Sequence, residues 1–87
     1  MHRVTFKELS KSVDWINSKM DKEPREKGAY SLYKDGSGYE LHLIVNDGGG
    51  VRQIGYYRKT SREMYFFLEG IIEGYRMREN IADLQKA

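Results

Sequence analysis

The stretch Thr60-Ser61-Arg62-Glu63-Met64-Tyr65-Phe66-Phe67-Leu68-Glu69-Gly70-Ile71-Ile72-Glu73-Gly74-Tyr75 decides the reading of this chain. It joins a helix start signal to apolar residues around most of a helix and to two glycines one turn apart. Thr60 and Glu63 form a capping box, in which each side chain satisfies a backbone N–H that the first turn leaves unpaired. At roughly 100° per residue, Met64, Leu68, Ile71, Ile72 and Tyr75 share one face. Phe66, Gly70, Met77, Ile81 and Leu84 form a second stripe beside it. Such a helix has more to bury than one core accepts. A glycine inside a helix costs about 1 kcal/mol relative to alanine, and close approach of another backbone is the usual reason to keep one. The approaching element at Gly70 and Gly74 is the first helix, a second copy or another protein.

Working back from this helix, the period changes. Tyr30 and Leu32 alternate with Ser31 and Tyr33, and Asp35-Gly36-Ser37-Gly38 supplies a turn. Tyr39, Leu41, Leu43 and Val45 then alternate with Glu40, His42, Ile44 and Asn46. After a second turn at Asn46-Asp47-Gly48-Gly49-Gly50, a third strand runs from Val51 to Arg58, with Ile54 and Tyr56 toward one side. Turns this short make an antiparallel meander, because parallel strands need a long crossover. Near the N-terminus, Thr5 and Glu8 form another capping box. It opens a helix over 6–20, with Phe6, Leu9, Val13, Ile16 and Met20 on one stripe and Trp15 outside it. The charged, proline-containing segment Asp21 to Gly28 is a solvated connection.

The expected fold is therefore α+β, in the order α-β-β-β-α. Both helices cover the sheet face that carries Tyr30, Leu32, Leu41, Leu43, Ile54 and Tyr56. Leu41, Leu43, Ile54, Leu68 and Ile71 are expected to be buried together. The 87 residues make a single domain over 1–87, and a chain of that length buries only about 60 to 65% of its unfolded surface. A partner would add useful stability.

Composition narrows the classes. With 39% hydrophobic and 13% aromatic residues the chain is globular, although 32% charged residues and a mean hydropathy of -0.75 make it polar on average. The net charge of +2 demands neither nucleic acid nor membrane. There is no cysteine, hence no disulfide framework and no thiol nucleophile, which leans toward a reducing, cytoplasmic setting. Nothing reads as a signal peptide or a membrane span.

Catalysis has little support. His2 and His42 stand apart without ligands at metal spacing, so neither a metal site nor a cofactor is expected. Glu69 and Glu73 share a face with Arg62 and Arg76, which reads as a salt-bridged surface. The triple glycine Gly48 to Gly50 joins strand to strand, whereas phosphate loops lead into a helix.

Two binding surfaces stand out. The first is the second stripe of the last helix together with Trp15, giving Trp15, Phe66, Gly70, Gly74, Met77 and Ile81 as partner-binding candidates, either for a protein partner or for a homodimer. The second is a basic segment in which Arg52, Arg58, Lys59 and Arg62 carry charge for phosphates and Tyr57 offers a ring for stacking, so that nucleic acid is the alternative partner. Tyr33, His42 and Tyr57 are expected on the uncovered face of the sheet.

The element order is similar to that of double-stranded RNA-binding domains, which hold phosphates with lysines at the start of the last helix. Here that start is Thr60-Ser61-Arg62-Glu63, without a lysine cluster. The hairpin core Tyr39-Glu40-Leu41-His42-Leu43-Ile44-Val45 and the helix Phe67-Leu68-Glu69-Gly70-Ile71-Ile72-Glu73-Gly74 resemble small accessory proteins of bacteriophages and mobile elements, including compact anti-CRISPR proteins. That resemblance implies a non-enzymatic binding role and names no target.

Overall fold

A computed structural model describes residues 3–86, apart from the side chains of Tyr56, Tyr57 and Lys86. The expected positions of His2, of the Tyr56 side chain in the core and of the Tyr57 ring on the open face lie outside the described residues.

Helix α1 spans Phe6–Lys19, and its N-terminus is capped by Thr5, whose hydroxyl accepts from the Glu8 N–H at 3.2 Å. Strands β1 (Tyr30–Asp35), β2 (Gly38–Ile44) and β3 (Val51–Lys59) follow, and helix α2 (Ser61–Lys86) closes the chain. The strands form one antiparallel sheet in the order β1-β2-β3. The fold is therefore α+β, with both helices on one face of a three-stranded meander. At the start of α2 the Thr60 N–H donates to Glu63 Oε1 at 2.9 Å and the Glu63 N–H donates to Thr60 Oγ1 at 3.1 Å. Both halves of the capping box are made, and the bond from the Thr60 N–H holds the Glu63 carboxyl below its usual range.

The two hairpin turns depend on side-chain oxygens that imitate a backbone carbonyl. Asp35 Oδ1 accepts from the Ser37 N–H and hydroxyl, both at 2.8 Å. Asn46 Oδ1 accepts from the N–H groups of Gly48 and Gly50 at 2.9 and 3.0 Å. Gly38 is required in its place: its φ is +135°, and a Cβ there would sit 2.8 Å from the Lys59 carbonyl oxygen.

The core is made by Leu9, Val13 and Ile16 of α1, Tyr39 and Leu41 of β2, and Met64, Leu68 and Ile72 of α2. Ile54 and Ile71 are partly buried against it, as the alternation and the helical period lead one to expect. Leu43 is the exception, being half-buried and outside the cluster. Its strand neighbours are Tyr30 and the exposed Arg52, so this corner of the sheet lacks a large apolar side chain on β3.

Two features were not anticipated. Asn17, 3% exposed, lies beside the α1 stripe and holds the first residue of β1 with both ends of its amide. Its Nδ2 donates to the Tyr30 carbonyl at 3.0 Å and its Oδ1 accepts from the Tyr30 N–H at 2.8 Å. The second is a break in register on β3. Leu41 pairs with Ile54 and Tyr39 with Lys59, so Glu40 alone faces the four residues Gly55 to Arg58. Gly55 has φ +96°, which bends the strand and brings Lys59, instead of Tyr56, opposite Tyr39.

Replacing Asn17 with alanine should lower stability by about 2 kcal/mol in urea unfolding, because a part-buried N–H and a part-buried carbonyl both lose their partner. Leu41→Ala should cost about 2 to 5 kcal/mol, whereas Leu43→Ala should remain below about 2 kcal/mol. Equal losses at the two leucines would mean that the core extends to the Leu43 corner.

Candidate interaction surface

Helix α2 is 26 residues long, about 39 Å at 1.5 Å per residue. Its inner face meets α1 and the sheet through Met64, Leu68 and Ile72. Alongside these, Trp15 of α1 packs edge-on against Tyr75 with ring centroids 6.4 Å apart, and Lys19 Nζ lies 3.3 Å from Glu79 Oε2. Every described residue from Arg76 to Gln85 is exposed, so the last turns of the helix extend along and beyond the body without cover.

The second stripe lies most of a half-turn round from the core face. Phe66 is 63% exposed, Met77 62%, Ile81 53% and Leu84 76%, and Gly70 and Gly74 are exposed between them. Among the described residues, a Cβ built on either glycine meets nothing within 4 Å outside the local helix backbone. The first helix is therefore not what approaches Gly70 and Gly74. It packs against the neighbouring face, where Ile72, Tyr75 and Glu79 lie.

Of the six candidates for partner binding, the structure brings together Phe66, Gly70, Gly74, Met77 and Ile81 and leaves Trp15 apart. The Trp15 ring occupies the seam between the helices, with Lys19 Nζ 5.1 Å and Arg76 Cζ 5.7 Å from its centroid. It is half-buried and occupied by its own chain. Leu84 extends the exposed stripe by one more turn, and its period was legible in the sequence.

The basic segment does not assemble as a cationic surface. Arg52 and Arg62 are exposed. Arg58 is held by two carboxylates: its Nη1 donates to Asp35 Oδ2, and its Nε lies 3.0 Å from Glu40 Oε2. Lys59 is only 6% exposed, with its ammonium 4.6 Å from the Phe67 ring centroid, in the space that the missing side chain of Gly55 leaves. A phosphate cannot reach it without opening the core. The register break that turns Lys59 inward had one sequence signal, the isolated Gly55 within a strand pattern.

On the open face of the sheet, the Arg58 contacts belong to a connected group. Glu40 Oε1 is 2.8 Å from His42 Nε2, and the His42 ring stacks on Tyr33 with centroids 5.2 Å apart and planes 15° apart. The Arg58 guanidinium lies 5.9 Å from the Tyr33 centroid. Tyr33 and His42 thus share the uncovered face as expected, and what they form is a satisfied polar network. The Ser37 N–H and hydroxyl, with Arg58, hold the Asp35 carboxyl at a pKa of about 2, against 3.8 ordinarily. Glu73 pairs with Arg76 at 2.9 Å, as a solvated helix face would. Comparisons with protein families, with curated proteins and with solved structures returned no match.

The depressed Asp35 pKa gives a signed pH dependence. A folded-state value below the unfolded one contributes stability that is complete above the unfolded pKa near 3.8 and is lost as pH falls toward 2. Asp35→Asn keeps an acceptor for Ser37 and removes the charge. The wild type should therefore exceed this variant in stability at about pH 5, and the gap should close by about pH 2 in urea unfolding. A gap that stays constant with pH would show that the charge of Asp35 does not matter to folding.

Proposed function

We propose that this chain is a small non-enzymatic interaction module that binds a macromolecular partner, a protein, through the outward face of α2. The observation that carries this reading is the exposed stripe of Phe66, Met77, Ile81 and Leu84 around two glycines that no other described element approaches. In a helix needed only to cover the sheet, these positions would take polar or good helix-forming residues at no loss. Four large apolar side chains on one exposed line instead mark a surface meant for burial. The helix-in-groove and helix-on-helix modes of recognition use this i, i+3, i+4 and i+7 spacing.

Small size and the α-β-β-β-α order support placing the chain with accessory proteins of bacteriophages or mobile elements. Action in the cytoplasm belongs to the same proposal, supported by the absence of cysteine. No described helix is long and apolar enough to cross a membrane. Contact of the basic segment with nucleic acid is the weaker alternative, because Arg58 is already paired and Lys59 is buried.

Met77→Glu with Ile81→Glu tests the proposal. Both positions are exposed, so at a protein concentration low enough to keep the wild type free of any partner the variant should unfold at the same urea concentration. Affinity purification from the organism that encodes the chain, followed by calorimetry on the purified partner, should show binding weakened by about tenfold or more. Binding should also change little with salt, as expected for apolar contact and not for phosphate contact. A folded variant that keeps every partner at full affinity would remove this face from the function.

A further inference from the structure

The partner's identity can be read from the stripe itself, on the reading that the outward face of α2 is a binding surface. Phe67, Gly70, Gly74, Met77, Ile81 and Leu84 follow one another at alternating steps of three and four residues, the spacing of a seam between two packed helices. The glycines occupy the first half of this seam and the large aliphatic residues the second. We infer that the surface takes a second copy of this chain, packed antiparallel about a two-fold axis that passes α2 between Tyr75 and Arg76.

That axis halves the interval from Gly74 to Met77, and it also halves the intervals from Gly70 to Ile81 and from Phe67 to Leu84. Met77 and Ile81 therefore each face a glycine of the other helix, and Leu84 faces the half-buried Phe67, whose ring covers Lys59 on its inner side. A two-fold interface must be self-complementary, since one patch serves on both sides. This stripe meets that condition by placing knobs on one half and holes on the other. A parallel pairing would put glycine opposite glycine and methionine opposite methionine, leaving voids beside crowded layers.

The amount of surface agrees. Exposures of 62, 53 and 76% on the seam residues Met77, Ile81 and Leu84, with Phe66 beside the seam at 63%, represent roughly 500 Å² of exposed surface per chain, within the range of the largest patches on a monomer. Two such stripes together remove on the order of 1,000 Å², about the threshold for a specific interface. The glycines also gain an explanation. Neither has a positive φ, and neither is crowded within its own chain, so the chain's own fold does not require them. A second helix lying against them does. The charged side chains of the outer half of α2, Glu73, Arg76, Arg78, Glu79 and Asp83, lie off the seam and can form its solvated rim.

Light scattering and sedimentation equilibrium from low micromolar to near-millimolar concentration test this. The wild type should associate to a dimer. Gly74→Ala should make the monomer more stable, because a helical glycine is replaced in open space, and should at the same time weaken the dimer. Gly74→Met should weaken the dimer by about tenfold or more, and adding Met77→Gly should restore it by exchanging knob and hole. Circular dichroism checks that the helix content of each variant is kept, and the Gly74→Ala result stands if the exchange variant loses helix.

A wild type that stays monomeric over the whole range overturns the second copy. So does a dimer that Gly74→Met and Gly74→Ala leave unchanged. These failures are separable from failure of the broader proposal: a monomeric chain that still loses a different protein through Met77→Glu keeps the binding face and changes its occupant.

Discussion

The joint between Asn17 and Tyr30 is the constraint on which the architecture depends. The Asn17 amide ties the last turn of α1 to the start of β1, bonding the N–H and the carbonyl of the same strand residue. Because Tyr30 pairs with Leu43, the joint also positions the outer edge of the sheet. The chain between the two residues can then take a turn that has little structure of its own. Asp21, Arg25 and Gly28 there have positive φ, and the Asn17 carbonyl accepts from the Lys22 N–H at 2.9 Å. Once α1 is tied at this point, Leu9, Val13 and Ile16 lie over the sheet beside α2. A small chain with three strands and two helices has few large apolar residues to spare, so a polar joint that directs them to one place matters more than it would in a larger core.

Elements were legible where local chemistry and period agree. The Thr5 cap, the Thr60 capping box, both hairpin turns and the alternation of β1 and β2 follow from residues within a few positions of each other, and the structure realises them. Tertiary pairing was less legible. Strict alternation along β3 places Ile54 and Tyr56 on the core side, yet Gly55 interrupts it and Lys59 arrives opposite Tyr39. Glycine in a strand signals such a break, but neither its size nor its direction. Asn17 was hidden for a similar reason. It stands four residues after Val13, at the rim of the apolar stripe, where an asparagine reads as the start of the polar face until its strand partner is known.

The basic segment shows how a composition that suggests one chemistry can fold into another. Arg52, Arg58, Lys59 and Arg62 have no acidic residue between them in sequence. In space, β1 and β2 bring Asp35 and Glu40 to Arg58, and the bulge takes Lys59 under Phe67. Opposite charges come from strands that are distant in sequence and adjacent in the sheet, so no window along β3 reveals them. The stripe on α2 is the opposite case. Its period is local to one helix, and a helix that is continuous over 26 residues preserves it, so Phe66, Gly70, Gly74, Met77 and Ile81 were found together. Trp15 was not part of it, because a residue outside one stripe can still fill the seam between two helices.

The two open surfaces differ in what they still lack, and that difference favours the helix as the place of binding. On the sheet face, Glu40, His42, Arg58, Asp35 and Tyr33 satisfy one another, so a partner docking there would have to break ion pairs before making any. On α2, nothing has to be broken. Phe66, Met77, Ile81 and Leu84 contribute little to the folded monomer while exposed, and Gly70 and Gly74 weaken the helix that carries them. Burial reverses the sign of both effects, because apolar area leaves water and the glycines allow the close approach that makes the contact dense. A helix that covers the core with one face and meets a partner with the other also couples the two. Burying its outer turns on binding supports the inner turns that carry Met64, Leu68 and Ile72, so association and folding stability should rise together.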